Sequence, residues 1–272
     1  MRLLKINHDG NFGLTKFGPN DIPPYAILSH TWEADNQELT FQEMMTGTGR
    51  SKAGYRKIQF CGDQAKKDGL EYFWVDSCCI DKTSSAELSE AINSMFRWYQ
   101  NAVKCYVYLS DVSKGDIIRS GPSQLLGNSA LGQSRWFTRG WTLQELLAPL
   151  SVEFFSKEGE SLGDKKSLER LLSNTTGVAV KALQGTPLYE FRTYERLLWA
   201  VKRQTTIEED QAYCLLGIFG IHMPLIYGEG VKNASIRLGE VIGKRYGVKD
   251  TGPLPQLPGM LSPLLVRSWA CN

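Results

Sequence analysis

The stretch Tyr25-Ala-Ile-Leu-Ser-His-Thr-Trp32 follows two prolines and is mostly apolar, which predicts a buried β-strand. Three further runs of this kind follow along the chain, separated by segments of helical length. They are Tyr72–Ser77, Cys105–Leu109 and Val152–Ser156. Strands that alternate with helices form a mostly parallel sheet with helices on both faces. The sequence therefore predicts an α/β core over about residues 22–160.

Two helices of this core are marked by their spacing and their ends. Residues 56–67 carry apolar side chains at helical intervals, and Gly69 follows as a stop signal. Ser84-Ser-Ala-Glu87 has the form of a capping box, and the apolar positions from Leu88 to Tyr99 fall on one helical face. Before the core we expect a small β element around residues 3–6 and 12–14.

The second half of the chain predicts a helical extension over about residues 161–247. Its helical segments are Ser167–Leu172, Tyr194–Arg203, Thr205–Gly220 and Val231–Arg245. We assign residues 1–247 to one domain with this extension. Residues 248–272 are rich in proline, which cannot continue a helix or a central strand, and we interpret them as a tail or a linker stub.

Composition excludes several classes of protein. Hydrophobic residues make up 42% of the chain and charged residues 22%, as in ordinary globular proteins, and the net charge of +2 gives no support for a nucleic-acid partner. No apolar run approaches the ~20 residues that span a bilayer, and the first residues do not form a secretory leader. The six cysteines lack zinc-site spacing, so we expect free thiols, no metal and a cytoplasmic location.

The stretch Ser134–Pro149 is the strongest candidate for a functional site. It sets one carboxylate, Glu145, among aromatic rings and two arginines on a short helix that follows a predicted strand. A lone acid held against apolar surface near the carboxyl end of a strand is a common way to build a site in an α/β protein. The alternative is structural: Glu145 caps a neighbouring element or pairs with Arg135 or Arg139.

Other candidates lie at the ends of the first two predicted core strands. Ser29 and His30 end the first strand, and Asp76 and Ser77 end the second, so parallel strands would bring them to one edge. Each also has a structural interpretation, since a lone histidine often serves packing and Asp76 could cap the next turn. The adjacent pair Cys78-Cys79 has no activating histidine nearby in sequence, which favours buried thiols over a nucleophile.

Three blocks of sequence together resemble the fungal heterokaryon incompatibility (HET) domain. They are Tyr25–Trp32, Phe73-Trp-Val-Asp-Ser-Cys-Cys-Ile-Asp-Lys82 with the helix after it, and Arg135–Pro149. The resemblance covers roughly residues 22–155, and the motifs around Asp210–Gly220 and Met223–Gly230 extend it. Glu33 departs from the pattern, because the family usually has glycine after the tryptophan.

The resemblance implies a role in allorecognition and in regulated cell death after cytoplasmic fusion. It also implies that the domain self-associates and that an upstream recognition or oligomerisation protein brings copies together. Close relatives carry a nucleotide-binding module downstream, whereas this sequence contains no P-loop motif. A non-enzymatic adaptor that only recruits partners is the alternative function.

A remoter similarity concerns mechanism. The strand at Cys105–Leu109 and the motif Trp141-Thr-Leu-Gln-Glu-Leu146 are similar to the Toll/interleukin-1 receptor (TIR) pattern, which implies a TIR-like or flavodoxin-like core. In enzymatic TIR domains the matching glutamate cleaves the nicotinamide–ribose bond of NAD, so the resemblance makes Glu145 the catalytic residue. NAD would be the substrate, with no cofactor. We predict that the substrate contacts Ser29, His30, Trp32, Asp76, Ser77, Arg139 and Trp141.

The chemistry of NAD cleavage needs one carboxylate rather than the usual glycosidase pair. The nicotinamide leaving group is already a cation, so no proton has to be delivered to it. A single ionised carboxylate in a dry pocket can stabilise the developing oxocarbenium charge. This makes the isolated Glu145 chemically sufficient, although hydrolysis, cyclisation and base exchange would share the same cation.

Overall fold

A mixed seven-stranded sheet forms the centre of the computed structural model, which describes residues 1–7, 10–34, 36–115 and 129–247. The strands are β1 (Arg2–Ile6), β2 (Phe12–Lys16), β3 (Tyr25–His30), β4 (Tyr72–Trp74), β5 (Lys104–Tyr108), β6 (Val152–Phe155) and β7 (Ser161–Asp164). Their order across the sheet is β2-β1-β4-β3-β5-β6-β7. The four central strands are parallel, and the outer ones pair antiparallel. The predicted α/β class is confirmed.

The chain reverses its direction of travel across the sheet at β3. It passes from β3 to β4 on one side and then returns to place β5 on the other side of β3. The carboxyl ends of β3 and β5 therefore border a topological switch point, where open α/β sheets bind their ligands. When the four parallel strands are numbered 1 to 4 along the chain, their order across the sheet is 2-1-3-4. This is the beginning of the flavodoxin-like strand order.

Helices cover both faces of the sheet. They are α1 (Phe41–Thr46), α2 (Ala53–Lys67), α3 (Asp76–Cys79), α4 (Ser85–Asn101), α5 (Thr142–Leu147), α6 (Glu169–Thr176), α7 (Val180–Leu183), α8 (Thr193–Leu198), α9 (Asp210–Tyr213), α10 (Leu216–Phe219) and α11 (Gly230–Tyr246). Phe60 of α2 packs against Tyr108 and Phe155 on one face. On the opposite face Trp74 packs against Trp98 and Tyr99 of α4. The central strands are thus buried on both sides, as their apolar sequences predict.

Several predicted boundaries shift for identifiable reasons. The second strand was expected to reach Ser77 but ends at Trp74, because Asp76 already begins helix α3. The expected β element near the start is the antiparallel hairpin β1–β2. Ser84 caps α4 by accepting a hydrogen bond from the backbone N–H of Glu87, 3.4 Å long. The capping box is incomplete, because the carboxylate of Glu87 accepts instead from the backbone N–H of Asp81.

The helical extension is more broken than its sequence predicts. The helix expected over Thr205–Gly220 is two separate turns, α9 and α10, and the Thr205 hydroxyl donates to the carbonyl of Ile207 within the loop before them. Helix α10 packs closely on α4, where Gly217 leaves no room for a side chain against Phe96. The expected tail or linker stub, 248–272, lies outside the described residues. Within the described part of the chain, none of the helices is long and apolar enough to cross a membrane.

Candidate active site

Ser29 and Glu145 meet on the face of the sheet that carries α4 and α5. Alternate residues of β3 point to opposite faces, so Ser29 lies on this face and His30 on the face covered by α2. The Ser29 hydroxyl donates a hydrogen bond to Oε2 of Glu145 over 2.5 Å. The hydroxyl oxygen of Ser29 in turn accepts a hydrogen bond from Nε1 of Trp136 over 2.8 Å. The serine hydroxyl is therefore fixed as a donor to the carboxylate.

Local structure holds Glu145 in this position. A 3₁₀ turn over Arg135–Thr138 begins at Ser134, whose side chain accepts from the backbone N–H of Trp136. The hydroxyl of Thr142 then donates to the carbonyl of Trp136 over 2.6 Å, which ties the start of α5 to that turn. Helix α5 follows with all six of its residues buried. A short helix tied down in this way leaves its glutamate little freedom to move.

The Glu145 carboxyl lies in a strongly desolvated environment. Only 7% of the residue is exposed. Burial raises the pKa of Glu145 to about 8, and the negative charge of Asp76 also raises it, whereas the hydrogen bond from Ser29, the neighbouring Tyr99 hydroxyl and the charge of Arg203 lower it. Burial has the largest effect on this pKa, so the carboxyl is mostly protonated at neutral pH in this arrangement. A nearby positive charge or added water would lower the pKa of this carboxyl and favour its ionised form.

The arginines named in the structural alternative do not neutralise this acid. Arg135 forms an ion pair with Glu33, with 3.1 Å between Nη2 and Oε2. Arg139 donates from Nη2 to the hydroxyl of Thr206 over 2.8 Å. None of the ion pairs found in the described ranges includes Glu145.

A second cluster lies at the carboxyl ends of β3 and β4. Nε2 of His30 is 3.8 Å from Oδ1 of Asp76 and 3.8 Å from Oε2 of Glu38. These distances would suit an imidazolium, but burial lowers the pKa of His30, and nearby Lys57 lowers it further. Burial has the larger effect because the ring is almost wholly enclosed, so the imidazole is neutral at pH 7. Neither ring nitrogen has a hydrogen-bond partner among the residues that the structure describes.

Asp76 connects this cluster to an exposed tryptophan. Its Oδ2 accepts a hydrogen bond from Nε1 of Trp32 over 2.9 Å. The ammonium of Lys82 lies over the Trp32 ring, 3.6 Å from the ring centroid. Asp76 also raises the pKa of Glu145 through its charge. It therefore acts on both groups of residues at this edge.

For the remaining predicted site residues, none of the hydrogen bonds or ion pairs in the described ranges leads to Glu145. Trp141 precedes α5 directly, but its indole N–H donates to Oδ2 of Asp210 over 3.0 Å. Arg139 is engaged with Thr206, and Ser77 is buried in the first turn of α3. The assignment of these three residues to a substrate stays a prediction.

Four residues near the candidate site were not predicted from the sequence. They are Trp136, Tyr99, Glu38 and Arg203. Trp136 and Tyr99 lie within apolar helical patterns that also fit the core. Only the direction of their polar atoms distinguishes them from ordinary core residues. Arg203 belongs to the helical extension, where Nη1 donates to the hydroxyl of Thr142 over 2.8 Å. No sequence pattern links it to α5.

The described part of the chain contains no arrangement of side chains suited to metal-dependent or thiol catalysis. No group of three histidine, cysteine or acidic residues there is placed to hold a metal ion. Burial raises the pKa of the Cys78 thiol well above its usual value and does the same for Cys61 and Cys105. These thiols are therefore protonated and poor nucleophiles at neutral pH.

Comparison with known proteins identifies the family. The family model described as "Heterokaryon incompatibility protein (HET)" matches residues 25–126. Vegetative incompatibility protein HET-E-1 of Podospora anserina is 54% identical over 248 residues, which are 91% of this chain and 18% of that relative. The chain thus spans less than a fifth of the relative's length, and no solved structure matches it. With the motifs and the α/β architecture, these similarities show that the chain belongs to the heterokaryon incompatibility (HET) domain family.

Proposed function

We propose that this domain is an effector of heterokaryon incompatibility that triggers cell death when its copies associate. Its family and the name of its relative support the incompatibility role. Because the chain corresponds to a small part of that relative, the activity of the longer protein comes to this chain only as a proposal. An upstream recognition or oligomerisation protein would bring the copies together in the cytoplasm, with no nucleic acid involved.

The proposed chemistry is hydrolysis of the nicotinamide–ribose bond of NAD, with Glu145 as the catalytic residue. The observation that carries this proposal is the hydrogen bond from Ser29 to the buried Glu145 beside the switch point of the sheet. Ser29 orients one carboxylate oxygen and favours the ionised form. The ionised carboxylate would stabilise the oxocarbenium ion that forms as nicotinamide leaves. Water would then add to the sugar.

The raised pKa of Glu145 gives the site a way to respond to its substrate. In this structure, where Glu145 is buried, its carboxyl is mostly neutral at pH 7 because its pKa is about 8. The positive charge of the nicotinamide ring would favour loss of the proton when NAD binds. Rearrangement of the edge when copies associate would admit the substrate, so the dilute protein would be inactive.

The other proposed substrate contacts differ in the support they receive. Ser29 touches Glu145, and Asp76 acts on it through its charge. His30 and Trp32 both approach Asp76. Ser77, Arg139 and Trp141 stay proposed contacts, although their hydrogen bonds or burial do not direct them to Glu145.

Nicotinamide release by clustered protein tests the proposal. The full chain, concentrated or artificially oligomerised, would be incubated with NAD and the free nicotinamide measured. We expect turnover that disappears on dilution and in the Glu145→Gln variant, with circular dichroism unchanged. Absence of nicotinamide release from clustered wild-type protein would contradict the enzymatic proposal.

The second candidate function is a signalling adaptor without catalysis. The enclosure of Glu145, only 7% exposed, favours this alternative, because an enclosed acid can serve packing alone. Cell killing by the Glu145→Gln variant separates the two. Killing that survives the substitution supports the adaptor, and killing that is lost while the protein still self-associates supports the enzyme.

A further inference from the structure

Within the described residues, Lys82 is a cation without a counter-ion in contact. Its ammonium lies over the ring of Trp32, and the tryptophan is 41% exposed. Asp76 and Glu38 attract the ammonium, yet none of the carboxylates in the described ranges comes within 4.0 Å of it. Lys82 is partly buried, and this burial lowers the pKa of its ammonium. A partly desolvated ammonium with three donors and no acceptor in contact is suited to bind an anion.

The indole of Trp32 is held in a fixed orientation beside this cation. Its N–H donates to Oδ2 of Asp76, which anchors the edge of the ring, while the Lys82 ammonium covers one of the ring faces. An aromatic side chain that is anchored at its edge and partly exposed provides a platform on which a flat base can stack. The platform and the ammonium are in direct contact, so one ligand could use both.

The position of this pair relates it to the candidate active site. Trp32 follows Ser29 by three residues, so their backbones lie at most about 11 Å apart. Asp76 holds the indole and also raises the pKa of Glu145. A ligand with its reactive sugar at Glu145 would therefore extend its remaining half along this edge.

We propose that Trp32 and Lys82 form the subsite for the adenosine diphosphate half of the substrate, with the lysine on the pyrophosphate and the indole under the adenine. The inference rests on the proposed NAD cleavage and adds a substrate preference to it. The domain would require a dinucleotide and would bind nicotinamide mononucleotide poorly. Lys82 would leave the indole face to reach the phosphate, which exposes that face to the base.

Ligand binding tests this subsite without relying on catalysis. ADP-ribose and nicotinamide mononucleotide would be titrated by calorimetry into the full-length wild type, Lys82→Gln, Lys82→Arg and Trp32→Ala. Lys181→Ala serves as the control, because that lysine is exposed on helix α7. We expect Lys82→Gln to weaken ADP-ribose binding about tenfold and Lys82→Arg to restore most of the affinity. Nicotinamide mononucleotide carries one of the two phosphates but no adenine, so its affinity should be unchanged in Trp32→Ala and weakened in Lys82→Gln.

The outcomes separate this inference from the function on which it rests. If ADP-ribose binds and depends on Lys82 while clustered protein releases no nicotinamide, the subsite stands and the NAD-cleavage proposal fails. If NAD is cleaved but Lys82→Gln and Trp32→Ala leave ADP-ribose affinity and KM unchanged, the subsite is wrong. Failure of the wild type to bind ADP-ribose also overturns it.

Discussion

The hydroxyl of Ser29 lies 2.5 Å from Oε2 of Glu145, although the two residues are 116 positions apart in the chain. Strand β3 supplies the serine and helix α5 supplies the acid, and both reach the carboxyl edge where the order of strands reverses. Because the indole N–H of Trp136 donates to the hydroxyl oxygen of Ser29, the proton of that hydroxyl is directed to the Glu145 carboxyl group. This relationship makes Ser29 a positioning residue for the proposed reaction.

Replacement of Ser29 by alanine should raise the pKa of Glu145 further. The hydrogen bond favours the ionised carboxylate, and a bond to a charged group is worth about 1.5–3 kcal/mol. We expect the pH–rate profile of nicotinamide release to move to higher pH, with a loss of about tenfold in kcat at pH 7. Ser173→Ala, which removes a hydroxyl bonded to the carbonyl of Val178, is the matched control. A profile that coincides with that of the wild type would show that Ser29 does not tune the acid.

Glu145 should make the protein less stable as the pH rises. The folded pKa of about 8 lies above the ordinary value of 4.5, so between these values the folded state holds a proton that the unfolded state has lost. The free energy of unfolding therefore falls as pH rises through this window and is unaffected by this group at lower pH. In Glu145→Gln the penalty disappears, and we expect a gain over wild type on the order of a few kcal/mol at pH 8 that fades towards pH 4. Urea unfolding of both proteins at several pH values measures it, and parallel curves would refute the burial of an ionisable acid here.

Arg203 should act on Glu145 from the helical extension. Its charge lowers the pKa of the acid, and its Nη1 donates to the carbonyl of Arg139 and the hydroxyl of Thr142 beside α5. In Arg203→Met the ¹³C-detected titration of the Glu145 carboxyl should move to higher pH, and Arg203→Lys should restore part of the difference because it restores the charge. An unchanged titration in Arg203→Met would show that the extension does not influence the site electrostatically.

Gly217 should be essential for the contact between the extension and the α/β core. A Cβ atom at this position would lie 2.2 Å from Cβ of Phe96 on helix α4. We expect Gly217→Ala to destabilise the fold by about 1–3 kcal/mol, since overpacking forces the two helices apart. Gly243→Ala in α11 is the control, because open space surrounds that position and alanine favours a helix. Equal thermal midpoints for the two variants would contradict the observed packing of α10 on α4.

The sequence predicts the strands of the core well because their apolar runs are continuous and both of their faces are buried. It also predicts that Ser29 and Asp76 lie at one edge of the sheet, because the carboxyl ends of neighbouring parallel strands lie side by side. It does not predict β7, because none of the residues Ser161–Asp164 is buried and the segment pairs as an edge strand. Short polar strands of this kind depend on a neighbour for their conformation.

The orientation of side chains around Glu145 depends on tertiary packing that no local pattern contains. Helical spacing draws attention to Trp141, one turn before the acid, yet Asp210 holds that indole. The 3₁₀ turn before α5 instead brings Trp136 to Ser29. The contribution of Arg203 likewise arises from the docking of a distant segment.

The most direct measurement of the central claim compares two glutamine variants in one assay. Glu145→Gln removes the buried acid, and Glu153→Gln removes a glutamate on β6 that pairs with Lys104. Nicotinamide release from NAD would be followed for both variants and for the wild type at the same degree of clustering. We expect Glu153→Gln to match the wild type and Glu145→Gln to lose at least about 99% of the rate, a difference of roughly 2.7 kcal/mol or more. Equal rates for the two variants would contradict a catalytic role for Glu145.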